Sequence, residues 1–133
     1  MGGEPRPPIV DQKVDVEASV MELGVEAMAE VVHGQHGTAR RIADGAKYRM
    51  AGKSGTAQVV AIAQNAEYDS DALSERNRDH ALFVGFAPLE NPKIALAVLL
   101  ENAESGSGAA APVMRRVFDA WLLDENGELK ESP

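Results

Sequence analysis

The chain has 133 residues, enough for one domain or a piece of one and too few for two full-sized domains. Lys and Arg number 13 against 21 Asp and Glu, a net charge of −8, which excludes the broad basic face that nucleic-acid phosphates demand. Hydrophobic residues at 44% exclude general disorder, and the absence of Cys excludes disulfides, thiol nucleophiles and thiolate metal sites without choosing a compartment.

Residues 1–13 carry Pro5, Pro7 and Pro8 and no apolar stretch, so they read as an extended linker or a cut end, not a secretory signal. From Val16, apolar residues recur at Val20, Leu23, Ala27 and Val31, beside a second stripe of Met21, Val25, Met28 and Val32. This spacing predicts a helix over 14–33 with an apolar face wide enough to dock into a core. Glu22, Glu26 and Glu30 form a like-charged row at four-residue steps, read as the solvated side. Gly34 and Gly37 end the helix, and 37–43 reads as a short capped helical turn.

The period then changes. Gly52 and Gly55 argue against a helix interior, and Thr56, Val59, Val60 and Ile62 predict a strand over 49–62. Residues 63–79 are polar, a connection long enough to be functional or mobile. His80–Ala87 and Lys93–Glu101 predict a hairpin around the turn Pro88–Pro92. Its apolar run, Ile94–Leu100, is far short of the roughly 20 residues a membrane helix needs. Ser105–Gly108 reads as a flexible link, followed by a helix through Ala110, Val113, Met114, Val117, Phe118, Trp121 and Leu122. Pro112 falls in its first turn and Gly127 is its expected stop. Phe118 and Trp121 are expected in the core, Arg115 and Arg116 as a solvated pair, and Glu128–Pro133 as a frayed end. The folded part is thus 14–124, with 125–133 as a tail. Helices bracketing a three-stranded antiparallel meander make an α+β fold.

One short motif invites chemistry: Gly52-Lys53-Ser54-Gly55-Thr56. A phosphate loop would need glycine where Lys47 stands and a helix where Ala57-Gln58-Val59-Val60 predicts a strand, so a nucleotide site is set aside. The alternative is a Lys-Ser-Gly triplet opening a sheet strand, as in serine penicillin-recognising enzymes. On such a strand Ser54 and Thr56 share a face and offer hydroxyls to a carboxylate, while Lys53 supplies positive charge. Gly55 lets a substrate backbone approach and pair with the strand edge. The Thr56 amide N–H can face a developing oxyanion. His33 and His36, with Glu30 one turn back, lack a fourth ligand, so no metal is expected. His80 is expected to hold Asp79 or the backbone.

Lys53-Ser54-Gly55-Thr56-Ala57-Gln58-Val59 resembles the third motif of class B penicillin-binding proteins. Gly37-Thr38-Ala39 upstream, then His80-Ala81-Leu82-Phe83-Val84-Gly85-Phe86-Ala87-Pro88, Asn91-Pro92 and Leu99-Leu100-Glu101-Asn102, follow the family's order over about residues 14–123. Glu75-Arg76-Asn77-Arg78-Asp79-His80 is similar to the connection in the penicillin-binding protein 2 branch, the elongation-specific peptidoglycan D,D-transpeptidases. The resemblance implies a transpeptidase fold of the serine β-lactamase type and an enzyme that binds penicillin and cross-links peptidoglycan stem peptides. It implies Lys53 and the Thr56 amide as catalytic groups, Ser54, Gly55 and Thr56 as substrate- and β-lactam-binding groups, and no cofactor.

The family's nucleophile lies in Ser-x-x-Lys and its second motif is Ser-x-Asn. Ser19, Ser54, Ser70, Ser74, Ser105, Ser107 and Ser132 fit neither. The expectation is therefore one wall of a cleft without its nucleophile, inactive alone, from a parent anchored in the inner membrane and facing the periplasm. Its anchor would precede this segment, and the remainder of the domain or a second copy would cover the unpaired edge. The rival expectation is a non-catalytic binding or assembly module that keeps the fold.

Overall fold

The computed structural model describes residues 15–57 and 79–130. Helix α1 (Ala18–His33) leads through a 3-10 turn (Arg40–Ala43) to strand β1 (Ala51–Ala57). Strands β2 (His80–Ala87) and β3 (Ile94–Leu100) follow, then a single π-helical turn (Gly106–Ala110) and helix α2 (Ala111–Leu122). The strands form one antiparallel sheet in the order β1-β2-β3. This is the expected α+β arrangement, with the hairpin in place. Residues 58–62 of the expected strand and 63–78 of the expected connection lie outside the described residues.

On β2 the alternation is plain: Ala81, Phe83, Gly85 and Ala87 are buried. Helix α2 covers that face through Ala111, Met114, Phe118 and Leu122, spaced three, four and four apart. A Cβ at Gly85 would lie 2.5 Å from the Ala51 carbonyl oxygen and 2.8 Å from the Met114 sulfur, so the helix sits there only because position 85 has no side chain. Phe83, Phe118, Met50, Met114, Leu122 and Val32 are the largest fully buried side chains. Each such burial contributes about 1.5–3 kcal/mol.

Several expectations are corrected. Trp121 is 51% exposed. At 3.6 residues per turn, a step of three from Phe118 drifts to the margin of the buried stripe, and no described element covers it. Arg115 is not solvated: its side chain is 15% exposed and bonded to Asp119 and to the carbonyls of Ile42 and Asp44. Arg116 is exposed as expected. Helix α2 ends at Leu122, and Gly127, at φ +77°, instead serves the turn after it. Leu123 bridges Leu129 there, and the Lys130 ammonium donates to the Trp121 carbonyl at 2.8 Å, so 123–130 fold back on the helix where fraying was expected at Glu128–Lys130. Residues 131–133 lie outside the described residues.

The Ser105–Gly108 link is packed against the sheet at Gly106. Gly106 is buried, and a Cβ on it would overlap the Leu82 carbonyl oxygen and lie 2.8 Å from the Gly55 carbonyl oxygen. The Ser105 hydroxyl accepts the Gly108 N–H at 2.9 Å. Helix α1 begins at Ala18 and is not docked along its whole apolar face. Only Ala29 and Val32 are buried, and Val20, Met21 and Leu23 are exposed. Its C-terminal half packs beside β1, while no described layer lies opposite its first two turns. Glu22, Glu26 and Glu30 are exposed as expected.

Candidate functional site

Lys53, Ser54, Gly55 and Thr56 all lie on β1. Lys53 pairs opposite Val84, Ser54 opposite Phe83, Gly55 opposite Leu82 and Thr56 opposite Ala81. By strand alternation Ser54 and Thr56 share one face, and Lys53 and Gly55 share the other. Lys53 and Thr56 are exposed, whereas Ser54 and Gly55 are half-buried. The four positions therefore present a cation, two hydroxyls and bare main chain within four consecutive residues.

Strand β1 is the sheet's first strand, so its edge away from β2 has no strand partner among the described residues. An unpaired edge offers alternating N–H and C=O groups to an extended peptide. The Lys53 ammonium donates to the Ser54 carbonyl at 2.7 Å and forms no ion pair with a carboxylate among the described residues. Its charge is thus available beside that edge.

The local sequence explains this geometry. Gly52 is buried beneath Phe83, where any side chain would meet the ring and lie 3.0 Å from the Val84 carbonyl oxygen. Gly55 differs: a Cβ there would make only ordinary contact, 3.5 Å from the Leu82 Cβ. The fold therefore requires glycine at 52 but not at 55. Behind the strand, the Gly106 turn rests on the backbone of Gly55 and Leu82. Sequence reasoning missed this support; the signal was the run of small residues Ser105–Ala111, which permits close backbone approach as readily as flexibility.

The remaining candidates are placed elsewhere. His80 Nδ1 accepts the Asn102 N–H at 3.1 Å, a backbone-holding role as expected. His33 Nε2 accepts the Met50 N–H at 3.1 Å, while His36 is exposed. Among the described residues no group of three His, Asp or Glu side chains could hold a metal ion, and no helix is long and apolar enough to cross a membrane. Shallow surface depressions of 400, 440, 480 and 410 Å³ among the described residues are lined by residues other than Lys53–Thr56.

Burial, reinforced by the hydrogen bond to Asp119, holds the Tyr48 phenol well above its ordinary value of 10.0. The Asp124 carboxyl is lowered, chiefly by the Glu128 N–H and then by Asn126, which ties the turn after α2.

Comparison with known proteins matches this arrangement. Peptidoglycan D,D-transpeptidase MrdA of Haemophilus influenzae is 42% identical over 106 residues, covering 80% of this chain and 16% of that protein. MrdA of Acinetobacter baumannii is 54% identical over 98 residues, 74% of this chain and 14% of that protein. The chain thus spans about one-seventh to one-sixth of the length of these relatives. Pseudomonas aeruginosa PBP2, solved in complex with WCK 5153, superposes with a TM-score of 0.74 at 47% identity over 95% of this chain and 26% of its own. PBP2 of Helicobacter pylori, solved with MreC, superposes at 0.61 with 28% identity, over 79% of this chain and 18% of its own. Residues 5–119 match the family described as the penicillin binding protein transpeptidase domain, and with most of the chain inside that match, the chain belongs to it.

Proposed function

We propose that this chain supplies the Lys-Ser-Gly strand of a peptidoglycan D,D-transpeptidase of the penicillin-binding protein 2 type. The observation that carries the reading is the placement of Lys53–Thr56 along a sheet edge that has no strand partner among the described residues. In the parent enzyme a serine outside this chain attacks the penultimate carbonyl of a D-alanyl-D-alanine stem. The peptide bond breaks, terminal D-alanine leaves with the transferred proton, and a serine ester remains. An amine from a second stem then attacks the ester, forms the cross-linking amide and returns the proton to the serine oxygen.

Lys53, Ser54 and Thr56 each have a role in that sequence. The stem's tail lies antiparallel to β1 and its terminal carboxylate meets the Ser54 and Thr56 hydroxyls, next to the Lys53 charge. Lys53 also serves proton transfer to the leaving group. The Thr56 N–H donates to the oxyanion, an interaction whose loss costs about 3–4 kcal/mol in the transition state. A β-lactam places its carboxylate and carbonyl on the same groups. The parent works at the periplasmic face of the inner membrane, and the rest of its transpeptidase domain covers Val20, Met21 and Leu23. Without that cover, the isolated chain self-associates through its apolar surface, and light scattering showing a monomer at high concentration would count against this.

Two measurements test the reading. Lys53→Ala in the longer protein should reduce labelling by a fluorescent penicillin at least tenfold, and an unchanged acylation rate removes the assignment. The 133-residue chain alone should show no covalent mass shift, because none of its serines sits in Ser-x-x-Lys. An adduct on the isolated chain refutes that half.

A further inference from the structure

The lead into β1 is held by side chains rather than by a sheet ladder. The Tyr48 hydroxyl donates to an Asp119 carboxylate oxygen at 2.8 Å. Arg115 Nε donates to both Asp119 oxygens at 2.9 Å, and its Nη1 donates to the carbonyls of Ile42 at 2.6 Å and Asp44 at 3.2 Å. The same guanidinium lies 5.8 Å from the centre of the Tyr48 ring. Tyr48 is buried and Arg115 largely so, which places these charge-assisted bonds where they are strongest. The Met50 N–H on His33, and the Arg49 carbonyl accepting the Leu89 N–H at 2.8 Å, complete the attachment.

Strand β1 depends on such an attachment. It has a strand neighbour on one side only among the described residues, and it contains Gly52 and Gly55, which weaken a strand. Lys53 follows Tyr48 by five positions, roughly 16 Å of extended chain. A displacement of the lead-in reaches Lys53–Thr56 without a second strand among the described residues to absorb it.

We propose that Tyr48, Asp119 and Arg115 are positioning residues for β1: together they set where Lys53, Ser54 and Thr56 lie along the open edge. The functional half of this proposal rests on the transpeptidase reading, while the structural half does not. None of the three residues lies on β1 itself, and their effect travels through the lead-in.

Hydrogen exchange on the 133-residue chain tests the structural half. Tyr48→Phe, which removes one hydroxyl, should speed exchange of the β1 amides about tenfold, the size expected for losing one hydrogen bond to a charged group. The β2–β3 ladder amides should keep their rates. Asp119→Asn, whose amide oxygen still accepts from Tyr48, should retain more protection than Asp119→Ala. Uniform acceleration across all strands, or none, overturns the proposal. In the longer protein, Tyr48→Phe should lower the acylation rate constant for a fluorescent penicillin several-fold and weaken the preceding reversible binding, because Ser54 and Thr56 shift with Lys53. An unchanged rate constant overturns the functional half. Lys53→Ala is the control: labelling that survives it strikes at the transpeptidase reading, and the exchange pattern then still decides the structural half.

Discussion

Replacing Gly55 by alanine separates what the fold needs from what a ligand needs. The new Cβ would lie 3.5 Å from the Leu82 Cβ, an ordinary contact. Gly55 is not among the glycines with positive φ, which among the described residues are Gly45 and Gly127. Alanine is therefore unstrained, and reduced freedom of the unfolded chain should stabilise the protein by about 0.4–1 kcal/mol. For a chain of this size that is a rise in Tm of about 1–4 °C, readable by far-UV circular dichroism. Gly106→Ala is the contrast: its methyl would overlap the Leu82 carbonyl oxygen, and overpacking of this kind costs about 1–3 kcal/mol. In the longer protein, Gly55→Ala should nevertheless slow acylation by a fluorescent penicillin about tenfold, equivalent to roughly 1.4 kcal/mol, because the methyl stands beside the docking edge. A stable variant acylating at the parent rate would refute the role given to Gly55. A variant destabilised by more than about 1 kcal/mol would refute the packing described between β1 and β2.

Two further predictions concern the isolated chain. Phe118→Ala should cost about 3–5 kcal/mol because the ring is fully buried, whereas Trp121→Ala should cost under about 1 kcal/mol, and urea midpoints at constant slope compare them. Tyr48, with its folded value raised above 10.0, contributes stability that is intact below pH 10 and lost as pH rises above it, since the unfolded chain releases the proton first. Tyr48→Phe should flatten the fall of the urea midpoint on the alkaline side of pH 10, and an equally steep fall in that variant would contradict the assignment.

Much of the local structure was legible from the residues. The turn Pro88–Pro92 marked the hairpin of β2 and β3, Pro112 marked the start of α2, and the Lys53 triplet was placed on a strand because its glycines disfavour a helix. The same reasoning put Ser54 and Thr56 on one face, which the register to Phe83 and Ala81 bears out. These are short-range properties, set by the steric limits of each residue and the two repeat lengths of the backbone.

What neighbours do to those elements depended on tertiary packing. Periodicity assigned an apolar face to α1 but could not say that Val20, Met21 and Leu23 would lack a covering layer among the described residues. It likewise treated Trp121 and Phe118 alike, although of the two only Phe118 is buried. The sequence offered Arg115 as a surface charge, and Gly106 as slack in a linker. Their roles came from groups more than twenty residues away: Ile42 and Asp44 for Arg115, Gly55 and Leu82 for Gly106. Backbone preference acts between adjacent residues, so the sequence alone determined the elements and the strand that carries Lys53. Burial and hydrogen bonding act across the fold, so only the tertiary structure decided that this strand has one strand neighbour among the described residues and is tethered through Tyr48 to α2.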